Sequence, residues 1–349
     1  MIDGETAAAS QVDVVTVPLT VDVLTIGGRT YKTINDEHFT RIRAYFSIPD
    51  SFAASKDSFD FSKMAAAGGK GGDPMARTSC SGYFIKEMNA GDHKTLLGLA
   101  EDLAEQITNP DKPSILAPLI AHFWGEDGKK SYLAMTNCMT SKGPYLKMYD
   151  LKGCADDKLL VDDGERVHEV HKRVWNLGLW CGCGGDPRSK YFNGKLEALH
   201  KPMLEVTLTQ KKQLMAAIEN DCAWLLKHNL MDFSLLAGVV ETDPNESELP
   251  GRPSLYAGSP CRISSDSGTH TTYFGIIDYL QKWNNGKVIA KAVKFSERNK
   301  ATVPPIRYTK RFVNHFSMVI IGVDQDLESQ IAARDNVSKP MRCFPLAKR

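Results

Sequence analysis

Residues 230–240 read LMDFSLLAGVV and residues 273–287 read YFGIIDYLQKWNNGK. Each stretch sets one aspartate against an apolar run: Asp232 precedes SLLAGVV, and Asp278 ends YFGIID. A carboxylate beside a buried segment costs free energy unless it finds a partner. Two of them in like settings suit a general base plus a Mg²⁺ ligand in phosphoryl transfer. The competing reading of either one alone is a helix or turn cap, the usual fate of a lone Asp.

Working outward, Lys86 sits in the apolar strand pattern YFIKEM at 83–88. A lysine there must snorkel out or meet an anion, and a nucleotide phosphate would serve. Before it, GGKGGDP at 68–74 offers backbone amides that can approach phosphate closely. No Gly-Lys-Ser/Thr ends that run, so it is not a Walker loop, and by itself it reads first as a surface loop. The stretch VDVVTVPLTVDVLTI at 12–26 predicts one or two strands. Residues 94–107 predict an amphipathic helix with Leu96, Leu99, Leu103 and Ile107 on one face. A second helix is expected over 209–228 with Thr209 as N-cap, and a third over Tyr308–Gly322. Residues 155–190, half helical and half Gly-rich, and 241–272, rich in Pro, Ser, Gly and Asp, read as insertions.

Composition narrows the class. Lys and Arg number 43 against 42 Asp and Glu, so no global field points to nucleic acid or to a membrane, and an anionic partner must meet a local patch. There is no run of 18 or more apolar residues and no basic-then-apolar leader, so neither a transmembrane segment nor a secretory signal is expected. Eight scattered cysteines fit reduced thiols, which suggests an intracellular, cytosolic or organelle-facing compartment.

The five stretches FTRIRAYFSI (39–48), YDLKGC (149–154), LMDFSLLAGVV, YFGIIDYLQKWNNGK and RYTKRF (307–312) occur in an order that resembles the phosphatidylinositol phosphate kinase family. The resemblance implies an α+β, bilobal kinase-like fold, with a tail at 1–14, a small lobe at 15–136 and a large lobe at 137–349. It implies ATP and Mg²⁺, and a phosphoinositide lipid at a membrane surface as partner. Residue by residue, Lys86 is similar to the strand lysine on the α/β-phosphates. Gly69, Gly71 and Gly72 fall in the phosphate-covering loop, and Asn137 in the interlobe stretch beside adenine. Asp232 matches the catalytic aspartate, Asp278 the metal-binding aspartate, and Lys152 the lysine of DLKG, facing phosphate. The loop 294–307 supplies Lys294, Arg298, Lys300 and Arg307 for an anionic lipid, each worth on the order of 1 kcal/mol near such a surface.

The chain also departs from the family pattern. Asp73 stands where the phosphate loop carries serine, Cys154 ends DLKG, and Tyr191 replaces an aspartate. In an active enzyme Asp73 is expected to face solvent or to pair with Lys70 or Arg77. The acidic partner of Lys86 is open between Asp92 and Glu101. These departures leave a second reading, a pseudokinase serving as a structural or binding subunit in a homodimer or larger assembly. A zinc site from His168, His171, Cys181 and Cys183 is a minor alternative with poor spacing. Trp175, Trp180 and Trp224 are read as packing residues.

Overall fold

A computed structural model describes residues 22–66, 73–141, 143–169, 187–241, 261–264, 270–283 and 303–322. Strands β1 (Val23–Ile26) and β2 (Arg29–Lys32) form an antiparallel hairpin. Leu24, Ile26 and Tyr31 are buried, as period-two alternation requires. Helix α1 (Asp36–Tyr45) carries the FTRIRAY motif. Phe39 and Ile42 fill its inner face beside a buried Arg43. That guanidinium pairs with Asp36 at 2.8 Å and Asp50 at 2.7 Å, and donates to the Ile120 carbonyl at 2.7 Å. A buried cation with its donors engaged is tolerable, and here it fastens α1 to the neighbouring sheet.

That sheet is antiparallel and five-stranded, in the order β3-β4-β5-β7-β6. Its members are β3 (Ala65–Ala66), β4 (Pro74–Arg77), β5 (Tyr83–Met88), β6 (Leu119–Trp124) and β7 (Ser131–Thr136). Between β5 and β6 lie α2 (Ala90–Leu97) and α3 (Ala100–Ile107). A second, six-stranded antiparallel sheet has the order β10-β9-β8-β12-β14-β13. Its members are β8 (Lys147–Leu151), β9 (Lys158–Asp162), β10 (Glu165–Arg166), β12 (Ser234–Glu241), β13 (Cys261–Ser264) and β14 (His270–Ile277). Helix α4 (Pro187–His200), strand β11 (Glu205–Val206) and helix α5 (Leu208–Lys227) precede β12, while α6 (Pro305–Val319) and β15 (Ile321–Gly322) follow β14. The result is a mixed α+β architecture.

The segment before β6 joins the two sheets. Ala117 donates its N–H to the Ile276 carbonyl at 2.8 Å, and Ile276 donates to that of Ile115 at 2.7 Å. Asp221 on α5 holds the same segment by accepting from the Ile115 N–H at 2.7 Å and from Gln106 at 3.0 Å. Among the described residues no helix is long and apolar enough to cross a membrane.

Several expected elements shift. The single helix over 94–107 is two helices, because the chain leaves α2 at Gly98, a poor helix former. Helix α5 starts at Leu208, capped by Thr207 and not Thr209; Thr207 and Gln210 form a reciprocal capping box. Helix α6 starts at Pro305, where a missing N–H costs nothing, and stops at Val319, so Ile321–Gly322 is a strand. The stretch 155–190 contributes β9 and β10, and 241–272 contributes β13 and the start of β14. Residues 170–186, 242–260 and 265–269 lie outside the described residues, as does the strand expectation for 12–21.

Candidate functional site

The register of three adjacent strands builds the site. Ser234 lies opposite Ile277 and Leu235 opposite Leu151. Asp232 therefore enters β12, Asp278 leaves β14 and Lys152 leaves β8 at one end of the sheet. Motifs separated by up to about 130 residues of chain meet because antiparallel pairing alternates direction. Both aspartates have left-handed backbones, with φ of 67° at Asp232 and 56° at Asp278. Such conformations are uncommon outside glycine, Asp tolerates them better than most, and they cluster at functional sites.

Lys152 donates to Asp232 Oδ1 at 2.6 Å and to the Asp232 carbonyl at 2.9 Å. Burial alone would lower the pKa of this ammonium, but the charges of Asp232, Asp150 and Asp278 outweigh it and raise the value. Lys152 thus stays a cation beside the carboxylate it orients.

Lys86 approaches from the other sheet. It lies in β5 between Met75 and Leu133, and its Nζ is 3.3 Å from Asp278 Oδ1 and 3.7 Å from Asp73 Oδ2. Burial again pulls its pKa down, and Asp278, Asp92 and Asp73 together raise it. Asn89, which caps α2, donates to Asp73 at 2.9 Å and to Asp92 at 3.0 Å, tying the two carboxylates together. Of the two candidate partners of Lys86, Asp92 lies in its field, whereas Glu101 is exposed on α3. Bonded to Asn89, Asp73 turns inward to Lys86, not to solvent or Arg77; Lys70, the other partner expected, lies outside the described residues.

Asn137 ends up committed to the backbone. Its amide donates to the Ser81 and Met139 carbonyls, both at 2.8 Å, and its oxygen accepts from the Met139 N–H at 2.9 Å. The expected nucleotide contact therefore narrows to the stretch that Asn137 shapes, since its side chain has no spare group. Gly69, Gly71 and Gly72 lie outside the described residues, as do Lys70, Lys294, Arg298 and Lys300. Arg307 is exposed on α6 and lines a cavity of about 500 Å³, apart from Lys86 and Asp278. His171, Cys181, Cys183, Trp175 and Trp180 fall outside the described residues, and Trp224 packs in the core against His228.

Asp150 is a residue that reading for isolated aspartates missed. One of its carboxylate oxygens is buried without a hydrogen-bond partner among the described residues. Burial raises its pKa, partly offset by Lys152. The signal was available: Asp150 lies two residues before Lys152, in the same YDLKGC motif.

The arrangement sets the cations Lys86 and Lys152 among several carboxylates around one gap. A cation from β5 and a carboxylate after β14 face each other, and a second cation–carboxylate pair stands beside them. Hard carboxylate oxygens at Asp278 and Asp73 suit Mg²⁺, and Lys86 suits phosphate oxygens.

Comparison with known proteins gives the family. The family model described as phosphatidylinositol-4-phosphate 5-kinase matches residues 58–259 and 257–319. The 1-phosphatidylinositol 3-phosphate 5-kinase FAB1 of Saccharomyces cerevisiae is 22% identical over 307 residues, covering 82% of this chain and 11% of that protein. The corresponding FAB1B of Arabidopsis thaliana is 24% identical over 269 residues, covering 72% of this chain and 12% of that protein. The chain therefore spans only a small part of the length of these relatives. With the family model matched over most of its length and the three motif ends brought together, the chain belongs to the phosphatidylinositol-4-phosphate 5-kinase family.

Proposed function

We propose that this chain transfers the γ-phosphoryl group of ATP to an inositol hydroxyl of a phosphatidylinositol monophosphate. The observation that carries the reading is the gathering of Lys152, Asp232 and Asp278 at one sheet end, with Lys86 reaching across from the other sheet. In this reading the five-stranded sheet with α2 is the small lobe and the six-stranded sheet belongs to the large lobe, divided near residue 136. Lys86 would hold the α- and β-phosphates, exchanging its carboxylate partners for phosphate oxygens. Asp232 would accept or orient the proton of the attacking hydroxyl, with Lys152 fixing the carboxylate and countering charge on the headgroup. Asp278, its carboxylate largely exposed, would hold Mg²⁺. Bound there, Mg²⁺ would neutralise charge developing on the phosphates. Gly69, Gly71 and Gly72 would cover the phosphates, and Lys294, Arg298, Lys300 and Arg307 would meet the anionic lipid surface in a peripheral membrane association.

One observation favours a second reading. Asp73 points at Lys86, where a triphosphate would have to compete with it, as in a pseudokinase that binds but does not turn over. Incubation with labelled ATP and phosphatidylinositol 3-, 4- or 5-phosphate, followed by thin-layer separation, tests both. Labelled bisphosphate product supports the first reading. Absence of product with every phosphoinositide and with soluble inositol phosphates removes the enzymatic claim and leaves the family assignment intact.

A further inference from the structure

Helix α6 has a second face beside its apolar one. Arg307, Lys310, Arg311 and Asn314 recur at helical spacing, and with His315 and, from α4, His200 they line the cavity of about 500 Å³. That volume lies within the range of small-molecule sites, about 300–1,000 Å³. Like charges three and four residues apart on a helix repel one another, so a stripe of three cations is stabilised by an anion between them. Arg311 is held in place: its Cζ sits 5.2 Å from the centroid of the Tyr308 ring, and Tyr308 donates its hydroxyl to the Phe233 carbonyl. An anchored guanidinium is well suited to a planar or tetrahedral oxyanion.

Among the described residues that line the cavity none is a carboxylate. Asp157 is the carboxylate nearest to His315, with Oδ2 at 3.7 Å from Nε2. Its Oδ1 faces away, accepting from the N–H groups of Lys152 at 2.6 Å and Cys154 at 3.2 Å. Burial above all, with smaller contributions from His200 and Arg311, pushes the His315 imidazole down to about 4. The cavity also abuts the turn that carries Lys152: a Cβ added at Gly153, where φ is +69°, would lie 3.0 Å from the His315 Cβ.

We infer that this cavity is a second anion site, separate from the gap between Lys86 and Asp278, which takes a polyanion bearing phosphomonoesters on a ring of inositol size. The ligand is either a free inositol phosphate or the headgroup of a membrane lipid, and the chemistry that recognises it is the same. Binding is measured without turnover, so the inference stands or falls apart from the catalytic reading.

The test uses the full chain in two arms. Calorimetry with inositol 1,4,5-trisphosphate probes the free headgroup. Co-sedimentation with phosphatidylcholine vesicles containing phosphatidylinositol 4,5-bisphosphate probes the lipid. Lys310 is exposed, so Lys310→Glu can be made without disturbing the core. The expected result is binding in at least one arm that Lys310→Glu weakens roughly ten- to a hundredfold. Lys310→Gln should give a smaller loss of the same sign. Asp278→Asn, at the other site, should change the affinity by no more than about twofold. Lys63→Glu, a reversal at an exposed lysine elsewhere, controls for net charge. Calorimetric binding identifies a free inositol phosphate as a ligand, and binding to vesicles alone identifies the lipid; either supports the site. Absence of binding in both arms overturns it. So does binding that Lys310→Glu leaves intact, or that Lys63→Glu weakens equally. Binding lost in Asp278→Asn and kept in Lys310→Glu places the anion in the other gap and also overturns it.

Discussion

Lys86 with Asp278 and Lys152 with Asp232 are the same residue types in contact, built in opposite ways. The first pair joins two sheets across 192 residues of chain, its 3.3 Å contact is long, and the Asp278 side chain is 59% exposed. Its lysine is shared with Asp73 and Asp92. The second pair comes from neighbouring strands of one sheet, is 2.6 Å long, and gains a further bond to the Asp232 carbonyl. An exposed pair is worth about 0–1 kcal/mol, so its carboxylate is cheaply replaced by phosphate. A tighter, better-buried pair holds its geometry before any ligand arrives. On the proposed reading the nucleotide side is thus exchangeable and the acceptor side preorganised.

The largest expected effect breaks the acceptor side. Asp232→Asn keeps size and most hydrogen bonds but removes the charge, so lipid phosphorylation should fall roughly 10²–10⁴-fold while Mg-ATP affinity holds. Asp278→Asn should weaken Mg-ATP binding as well as turnover, measured by calorimetry beside the lipid assay. If both variants behave alike in nucleotide binding, the division of labour between the pairs is wrong.

Stability should separate the pairs next. Lys152→Met takes the cation away from a half-buried carboxylate and should cost about 2–3 kcal/mol, below the 3–5 typical of fully buried pairs. Lys86→Met should cost less, about 1 kcal/mol, because exposed Asp278 regains water while Asp73 and Asp92 keep their bonds from Asn89. Urea unfolding of the two variants makes the comparison, and equal losses would refute the contrast.

The contrast explains what could be read from the sequence. Lys86, Asp232 and Asp278 were legible because each interrupts an apolar run, and an apolar run with a charge has few solutions. That they meet was not legible from periodicity, because strand register depends on pairing between segments distant in the chain. Asp73 was judged by its loop and not by Lys86, which only the fold brings near. The backbone bonds of the Asn137 amide were not legible either, being a matter of local turn geometry. Thr207 outcompeted Thr209 as cap because Gln210 stands three residues after it and returns the hydrogen bond. Arg43, read only as part of a motif, fastens α1 to β6.

A pH experiment sharpens the acceptor side further. Asp157 holds the turn of Lys152 through two N–H bonds, and burial pushes its carboxyl up to about 7. The folded-state value is raised above the unfolded one, so folding takes up a proton between about pH 4 and 7. Its contribution is fully present below that window and is lost as pH rises through 7. Asp157→Asn keeps an oxygen for the two N–H groups and cannot ionise, so the variant should gain on the unmodified chain by about 1–2 kcal/mol between pH 5 and 8. Asp221, also pushed up to about 7, and His315, pushed down to about 4, titrate in both proteins. The difference between the two stability curves therefore reports Asp157 together with any change in His315, 3.7 Å from it. A flat difference would show that Asp157 is ionised throughout the window.

The smallest expected effect bears on the exchangeable pair and on the choice between enzyme and pseudokinase. Asp73 Oδ2 is 3.7 Å from Lys86 Nζ and also accepts from Asn89 at 2.9 Å. A phosphate arriving at Lys86 must displace this carboxylate or tolerate it. Two like charges at such a distance repel by about 1 kcal/mol at the dielectric of water and about 4 at that of a protein surface. If Asp73 can swing out while Asn89 keeps Asp92, the lower figure applies, and Asp73→Ser should tighten Mg-ATP binding only about fivefold. Asn89→Ala, which frees Asp73 to move, should then give a gain of the same sign in the chain that retains the aspartate. A gain of a hundredfold or more in Asp73→Ser would mean that the carboxylate bars nucleotide from Lys86, and would favour the pseudokinase. Weaker binding in Asp73→Ser would show instead that the carboxylate assists the nucleotide, as a ligand for its metal, and that the pair at Lys86 is less freely exchanged than its geometry implies.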